Sequence, residues 1–492
     1  MTGTPISRFA LRAGASCLAI AAGLAIWPVG AQASATQESI VQDDKQLLYS
    51  GPAAREEALD DFAALGADTI RVLMVWNRVA PSPSSITRPV GFNATDPAQY
   101  PGWAPYDELI ASAQSHGLEV ILNPTGPGPA WASECSGSAQ SRMTCNPSPA
   151  EFRSFIKAAG TRYGSIHRWS IYNEPNVSSW LSPQYVRRGG VNVASSPTRY
   201  RLLFEAATTA LTASGHGSDQ ILIGETAPFG SATGRLSDAT MSTAGFIRVL
   251  LCVDAKGQAI TTGDCRSYRR LRATGYAHHP YIRGGSRPPT TAARLDEITI
   301  SSSSQLFNLL DLGGRLGRIN KGLPVYYTEY GFQTNPPDHL LGVSPTKQAE
   351  YINESDAIAY RQSRVRSVAQ YLLRDEPLTG GFQSGLRFFD GSFKPAYAAY
   401  RLAIWVANSR DGVTVYGQTR PAKKGVAATV AVQFHGFDST AFKTIATVST
   451  STGNHSFTKS LAKRSGLWRL RWTHPSTGEV LLSRTATTTA LR

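Results

Sequence analysis

Two short acidic motifs are the residues best suited to chemistry. Asn173-Glu174-Pro175-Asn176 closes the alternating run Trp169-Ser170-Ile171-Tyr172, and Thr328-Glu329-Tyr330-Gly331 closes the apolar run 324–328. Pro175 has no N–H with which to continue a strand ladder, so the backbone leaves its sheet where a carboxylate stands. Two carboxyl groups facing each other can divide one hydrolysis between them: one protonates a leaving oxygen, the other attacks the acetal carbon or activates water. Alone, Asn-Glu-Pro is also an ordinary strand-end turn. The second motif, at the end of a later strand, makes the pair a candidate site.

An acid must stay protonated until it acts while a nucleophile must be ionised, so a cation and a tyrosine near Glu329 are expected to hold its charge. Other strand ends carry suitable groups: Arg71 on the second, Asn123 on the third, Glu225 on the fifth, and His278-His279-Pro280-Tyr281 on the sixth. Glu225 reads as a sugar ligand, a structural ion pair or the true partner of either glutamate, the first two equally, and Asn123 as a substrate contact or a loop cap. The two histidines have no third ligand at metal spacing, and two-carboxylate chemistry needs no cofactor, so neither metal nor cofactor is expected. Trp76, Trp103, Trp131 and Trp180 follow strands, where each either stacks on a sugar ring or packs against its neighbours.

Positioning these groups requires a repeated scaffold. Short apolar runs at 46–49, 69–75, 118–122, 167–172, 220–224, 274–278, 324–328 and 380–386 alternate with amphipathic stretches at 55–65, 106–116, 151–163, 199–213, 302–318, 347–373 and 395–407. Gly66, Gly117 and Gly164 stop the first three helices. Eight such alternations suit an α/β fold, a closed (β/α)8 TIM barrel whose chemistry gathers at the C-terminal ends of the strands. No dinucleotide fingerprint or phosphate loop competes with it. After residue 410 the texture changes to short alternating runs at 413–416, 427–434, 442–448, 455–460, 467–472 and 479–484, the pattern of an all-β sandwich. The expected division is 1–33 as a leader, 34–408 as the barrel and 409–492 as an accessory sandwich packed on it. Trp468, Leu470 and Trp472 share one face of a sandwich strand, as a core or as a sugar platform.

The motifs NEPN at 173–176, TEYGF at 328–332 and HHPY at 278–281, with Arg71, resemble the retaining glycoside hydrolases of clan A. Asn-Glu-Pro-Asn followed by Trp180 is similar to family 39, while Arg71, the sixth-strand motif and GLRFFDGSFKPAY ending at Tyr397 are similar to family 5. The resemblance covers the barrel and not the C-terminal module. It implies hydrolysis of O-glycosidic bonds in an oligo- or polysaccharide by double displacement, with Glu174 as acid/base and Glu329 as nucleophile. It also implies Asn173 on the sugar 2-hydroxyl, Tyr281 and Arg71 supporting the nucleophile, and His278 or His279 touching the substrate or the acid/base. Two positions depart from family 5: Asn123-Pro124-Thr125 stands where a histidine is usual, and Phe382 and Gln383 where the eighth strand has a tryptophan. Both concern subsite contacts, so sugar, linkage and endo or exo action stay open. A non-catalytic carbohydrate-binding or adhesion protein on the same scaffold, or a transglycosylase, are the other readings.

Composition narrows the setting. Arg8 and Arg12 flank an apolar run from Ala13 to Val29, and Ala31-Gln32-Ala33 has the form of a signal-peptidase site, so the first 33 residues read as a secretory leader rather than a membrane anchor. Without Arg8 and Arg12, and with no acid in that segment, the formal charge of +14 falls to +12. The basic residues occur as pairs, not runs, which excludes a nucleic-acid footprint and leaves acidic glycans or anionic envelopes as a weak hint. Cys135, Cys145, Cys252 and Cys265 form two local pairs without CxxC spacing, so bridges 135 to 145 and 252 to 265 are the simplest of three connectivities in an oxidising compartment. The expectation is an extracellular or envelope-associated monomer without stable membrane insertion.

Overall fold

The computed structural model describes residues 34–408 and 412–489. The expected leader, residues 1–33, lies outside the described residues, as does most of the expected interdomain turn.

Eight strands close into a parallel barrel: β1 (Glu38–Gln42), β2 (Thr69–Val75), β3 (Glu119–Thr125), β4 (Arg168–Ser170), β5 (Gln220–Thr226), β6 (Gly275–His278), β7 (Val325–Tyr327) and β8 (Val365–Tyr371). Each pairs with its sequence neighbours, and β8 returns to β1 with Ile40 opposite Ala369. Because helices cover the outside, both strand faces are buried and the strands read as near-continuous apolar runs. Val72 and Met74 of β2, for example, join the shell under the helices, whereas Arg71 points into the barrel's polar interior.

Two strands differ from the sequence expectation. Residues 46–49 form a helical turn, Lys45–Tyr49, and the first strand is the earlier, polar-laced Glu38–Gln42. The stretch read as one helix from 347 to 373 divides into a helix, Pro345–Tyr360, and the eighth strand, while 380–386 forms no strand. The last barrel helix also stops early, at Arg401, where strand β9 (Leu402–Asn408) begins.

With β9, the strands β10 (Val413–Thr419), β11 (Thr429–His435), β12 (Lys443–Ser449), β13 (Ser456–Leu461), β14 (Gly466–Thr473), β15 (Val480–Leu482) and β16 (Ala486–Thr488) build two antiparallel sheets. One has the order β9-β10-β13, the other β12-β11-β14-β15 with β16 also on β14. Trp468, Leu470 and Trp472 of β14 are buried between them, and the Trp468 indole N–H donates to Thr488 Oγ1 at 2.7 Å. Those three side chains are core, not a sugar platform. Among the described residues no helix is long and apolar enough to cross a membrane. The disulfides are Cys135–Cys145 and Cys252–Cys265, each closing a loop beyond a barrel strand.

Candidate active site

Around the strands' C-terminal ends, Arg71 and Glu225 are the shared centre. Arg71 donates to Glu225 Oε2 at 2.9 Å and Oε1 at 3.3 Å, to Asn173 Oδ1 at 2.6 Å, to Glu329 Oε2 at 3.2 Å, and to Gln42. Five donors on one rigid planar group can orient several strand ends at once, which an ammonium could not.

Asn173 and Glu174 lie beyond β4, which already stops at Ser170, before Pro175 takes effect. Tyr172 and Glu174 have φ of 69° and 37°, in the left-handed region, and Glu225 has φ of 48°. Non-glycine residues there cost about 1–3 kcal/mol each and persist only where surroundings over-determine them. Here Glu174 N–H donates to Glu225 O at 3.0 Å and Asn173 N–H to Thr125 Oγ1 at 2.9 Å. Asn176 pins the same turn by donating to the carbonyls of Ala227 and Met241 and accepting from the Ala227 N–H.

The two sixth-strand histidines separate. His279 sits inside the barrel with Nδ1 3.0 Å from Glu174 Oε1 and Nε2 2.6 Å from Glu225 Oε2. His278 turns away: its ring nitrogens meet the Ile298 carbonyl at 2.9 Å and Thr226 Oγ1 at 2.9 Å. Burial pushes His278 down to about 3, so it is neutral. Burial also opposes charge on His279, but Glu329, Glu174 and Glu225 outweigh it and raise it to about 9. Glu225 is held well below the usual carboxylate range: burial works against its charge, and Arg71, His279 and Ser170 overcome it.

Glu329 accepts from the Tyr281 hydroxyl at 2.9 Å as well as from Arg71. These are the expected cation and tyrosine, yet their effect is not the expected one. Burial raises the carboxyl, Glu174 adds to the rise, and His279, Arg71 and Tyr281 only reduce it. Ionisation of Glu329 therefore depends on its counter-ions.

Exposure decides which groups a substrate can reach. The side chains of Arg71, Glu225 and His279 are 0% exposed, whereas Glu174 is 19% and Glu329 13% exposed. Both glutamates line a cavity of about 840 Å³, whose walls include Phe229, Tyr281, Phe332, Tyr371 and Phe382. Glu225 and His278 are thus not sugar ligands, since every contact they make is internal. The Asn123 side chain is fully buried and has no hydrogen-bond partner among the described residues, and neither it nor Trp180 lines the cavity. Trp76, Trp103 and Trp131 pack with Phe92, Phe152 and Phe155 under the helices, so none is a stacking face.

Glu174, His279 and Glu329 each offer a ligand atom within 4.8 Å of the others, a grouping that leaves out His278 and that spacing in the sequence did not reveal. A proton on His279 Nδ1, favoured by the carboxylates it faces, competes for the same position. Two groups went unrecognised in the sequence because β1 and β8 were misplaced. Asp44, just after β1, accepts from the Leu73 N–H and from Gln42, and burial raises it to about 6. Tyr371 ends β8 and lines the cavity together with Phe382, whereas Gln383 does not.

Residues 31–241 match the family model described as Cellulase (glycosyl hydrolase family 5), a span that includes Glu174 and Glu225 and ends before Glu329. No curated protein matches. Among solved structures, the chain is similar to a family 39 glycoside hydrolase from the gut symbiont Bacteroides cellulosilyticus WH2, at 13% identity over 87% of this chain and 80% of that one, with a TM-score of 0.48. It is also similar to GH5_18 from Bifidobacterium longum subsp. longum ATCC 55813, at 14% identity over 75% and 78%, TM-score 0.47. A third is a beta-glucosidase from Exiguobacterium marinum, at 18% identity over 73% and 89%, TM-score 0.45. The family match takes in the first five strands of the closed parallel barrel, less than half of the chain.

Proposed function

We propose that the chain is a secreted retaining glycosidase acting on an oligo- or polysaccharide, with Glu174 as acid/base and Glu329 as nucleophile. The observation that carries this reading is the approach of the two carboxyl groups. An oxygen of each lies within 4.8 Å of the other, on the wall of one cavity. Double displacement needs carboxyl groups about 5 Å apart, whereas inversion needs roughly 6.5–9.5 Å to admit water between acid and base.

In the first step Glu329 attacks the anomeric carbon while Glu174 protonates the departing oxygen. In the second, Glu174 takes a proton from water, which releases the sugar from Glu329. The aromatic walls suit pyranose faces. Secretion is supported by the sequence of the first 33 residues and by two disulfides, which persist in oxidising compartments. A non-catalytic binding protein would be favoured by a glutamate pointing away from the cavity, and both line it.

The test is a panel of activated 2-deoxy-2-fluoroglycosides followed by peptide mass spectrometry. A label on Glu329 is expected, with Glu174→Gln slowing poor leaving groups by about 10²–10⁴-fold and activated ones far less. A product of inverted anomeric configuration would remove Glu329 as nucleophile, and product analysis at high sugar concentration separates hydrolysis from transglycosylation.

A further inference from the structure

We infer that Glu225 is a positioning residue whose carboxylate keeps His279 protonated throughout the reaction, so that His279 serves Glu174 and Glu329 in turn as a shared counter-ion. The inference rests on the roles proposed above for those two glutamates.

Glu225 cannot act on substrate directly, because its side chain is enclosed by Arg71 from β2, Ser170 from β4, His279 beyond β6 and Thr328 beyond β7. Arg71 donates through two nitrogens, His279 Nε2 stands at 2.6 Å and Thr328 Oγ1 at 2.8 Å, with the Ser170 hydroxyl as a further donor. The four donors apart from His279 already fill the lone-pair positions of a carboxylate and leave no place for a proton. Glu225 is therefore an anion, and the nitrogen facing it must carry hydrogen.

At the other edge of the ring, Nδ1 stands 3.0 Å from Glu174 and 3.8 Å from Glu329. The titratable and charged groups facing His279 are then Glu225 on β5, Glu174 beyond β4, Glu329 beyond β7, Arg71 behind Glu225 and Glu329, and His278 and Tyr281 on its own segment. Asp44 borders the cluster through Arg71 and Glu329. Three carboxyl groups around a buried ring favour imidazolium against the cost of burial, in keeping with the rise to about 9.

The charge count explains what this arrangement does. Before reaction, Arg71 and His279 balance Glu225 and Glu329, while Glu174 holds its proton. When a Glu329 oxygen bonds the anomeric carbon, the bond to the leaving oxygen breaks and that oxygen takes the Glu174 proton. Glu329 becomes a neutral ester and Glu174 a carboxylate, so one negative charge has moved from one side of Nδ1 to the other. A fixed imidazolium reaches both positions without gaining or losing a proton. Water then restores the first arrangement by giving its proton to Glu174 and its oxygen to the sugar.

The experiment uses the full-length protein labelled with nitrogen-15, with ring signals of His279 assigned by their loss in His279→Gln. A protonated ring at pH 7.5 is expected both in the free protein and after trapping with the fluoroglycoside; a neutral ring in either state overturns the inference. In Glu225→Gln the His279 midpoint should fall by about one pH unit or more, because an opposite charge has gone. The basic limb of kcat/KM should move down with it, and Glu225→Asp should restore both in part. A uniform loss of kcat at every pH, with the midpoint unmoved, would make Glu225 a structural residue only and sink the proposal. If Glu225→Gln does not fold, the two wild-type measurements still decide. If no fluoroglycoside labels the protein, the roles of Glu174 and Glu329 fail, while the titrations of free wild type and Glu225→Gln continue to test Glu225.

Discussion

Adjacent residues leaving a strand face opposite ways, and at the end of β6 this gives His278 and His279 different chemistry. His279 meets two carboxylates, whereas His278 is buried neutral between Thr226 and the Ile298 carbonyl. His279→Gln is expected to lower kcat on the order of 10²-fold. His278→Gln should keep kcat within about threefold, less than 1 kcal/mol of barrier, but lower Tm at pH 7. Because the His278 pKa is depressed in the fold, its contribution is present above the unfolded value of 6.5 and is lost as pH falls toward 3. The Tm gap between wild type and His278→Gln should therefore narrow from pH 7 to pH 4, as read by calorimetry; a gap that widens would contradict the neutral assignment. Residue types were legible in the sequence at this scale, since Glu174, Glu329, Arg71 and Tyr281 all reach one centre. Orientation was not, because it depends on where a strand ends to within one residue. Glu225 looked like a possible sugar ligand for the same reason: only the fold shows that donors surround it.

Helix stops were legible because a glycine in the left-handed region has a local cause. The helix Pro52–Leu65 ends at Gly66 with φ of 72°, whose N–H reaches the carbonyls of Ala63 and Phe62. Gly117 follows the helix Ala104–Ser115 and has nearly the same φ, 70°. Their surroundings differ: a Cβ on Gly117 would meet nothing within 4 Å, whereas one on Gly66 would lie 2.2 Å from the Arg420 carbonyl carbon. Gly117→Ala should cost about 1 kcal/mol from backbone strain alone. Gly66→Ala adds a collision with backbone of the second domain and should cost several times as much by denaturant titration. Equal losses would mean that the sandwich yields at no cost. The strands β1 and β8 were harder to read. Glu38–Gln42 is short and half polar, and between the helix Pro345–Tyr360 and Val365 no glycine or proline marks the change. Asp44 and Tyr371 were missed with the strands that carry them.

The two domains are joined through buried charge as well as through shape. Arg420, beyond β10, forms an ion pair with Asp356 of the barrel at 2.7 Å, both buried, and donates to the Tyr400 carbonyl at 2.6 Å and Ser39 Oγ at 3.0 Å. Its guanidinium also lies 3.9 Å from the centre of the Tyr400 ring. Removing one partner of such a pair leaves the other charge buried and unpaired, which costs roughly 3–5 kcal/mol, whereas replacing both by apolar groups of similar volume is often near neutral. Arg420→Met should therefore lower Tm strongly, and adding Asp356→Leu should recover much of the loss. Activity per folded molecule should be unchanged in both, because Arg420 and Asp356 line no part of the cavity. The comparison is a double-mutant cycle by calorimetry with kinetics on each variant. Additive losses would show that the two charges do not hold the sandwich to the barrel, and a fall in kcat at full folding would show instead that the sandwich acts on the catalytic site.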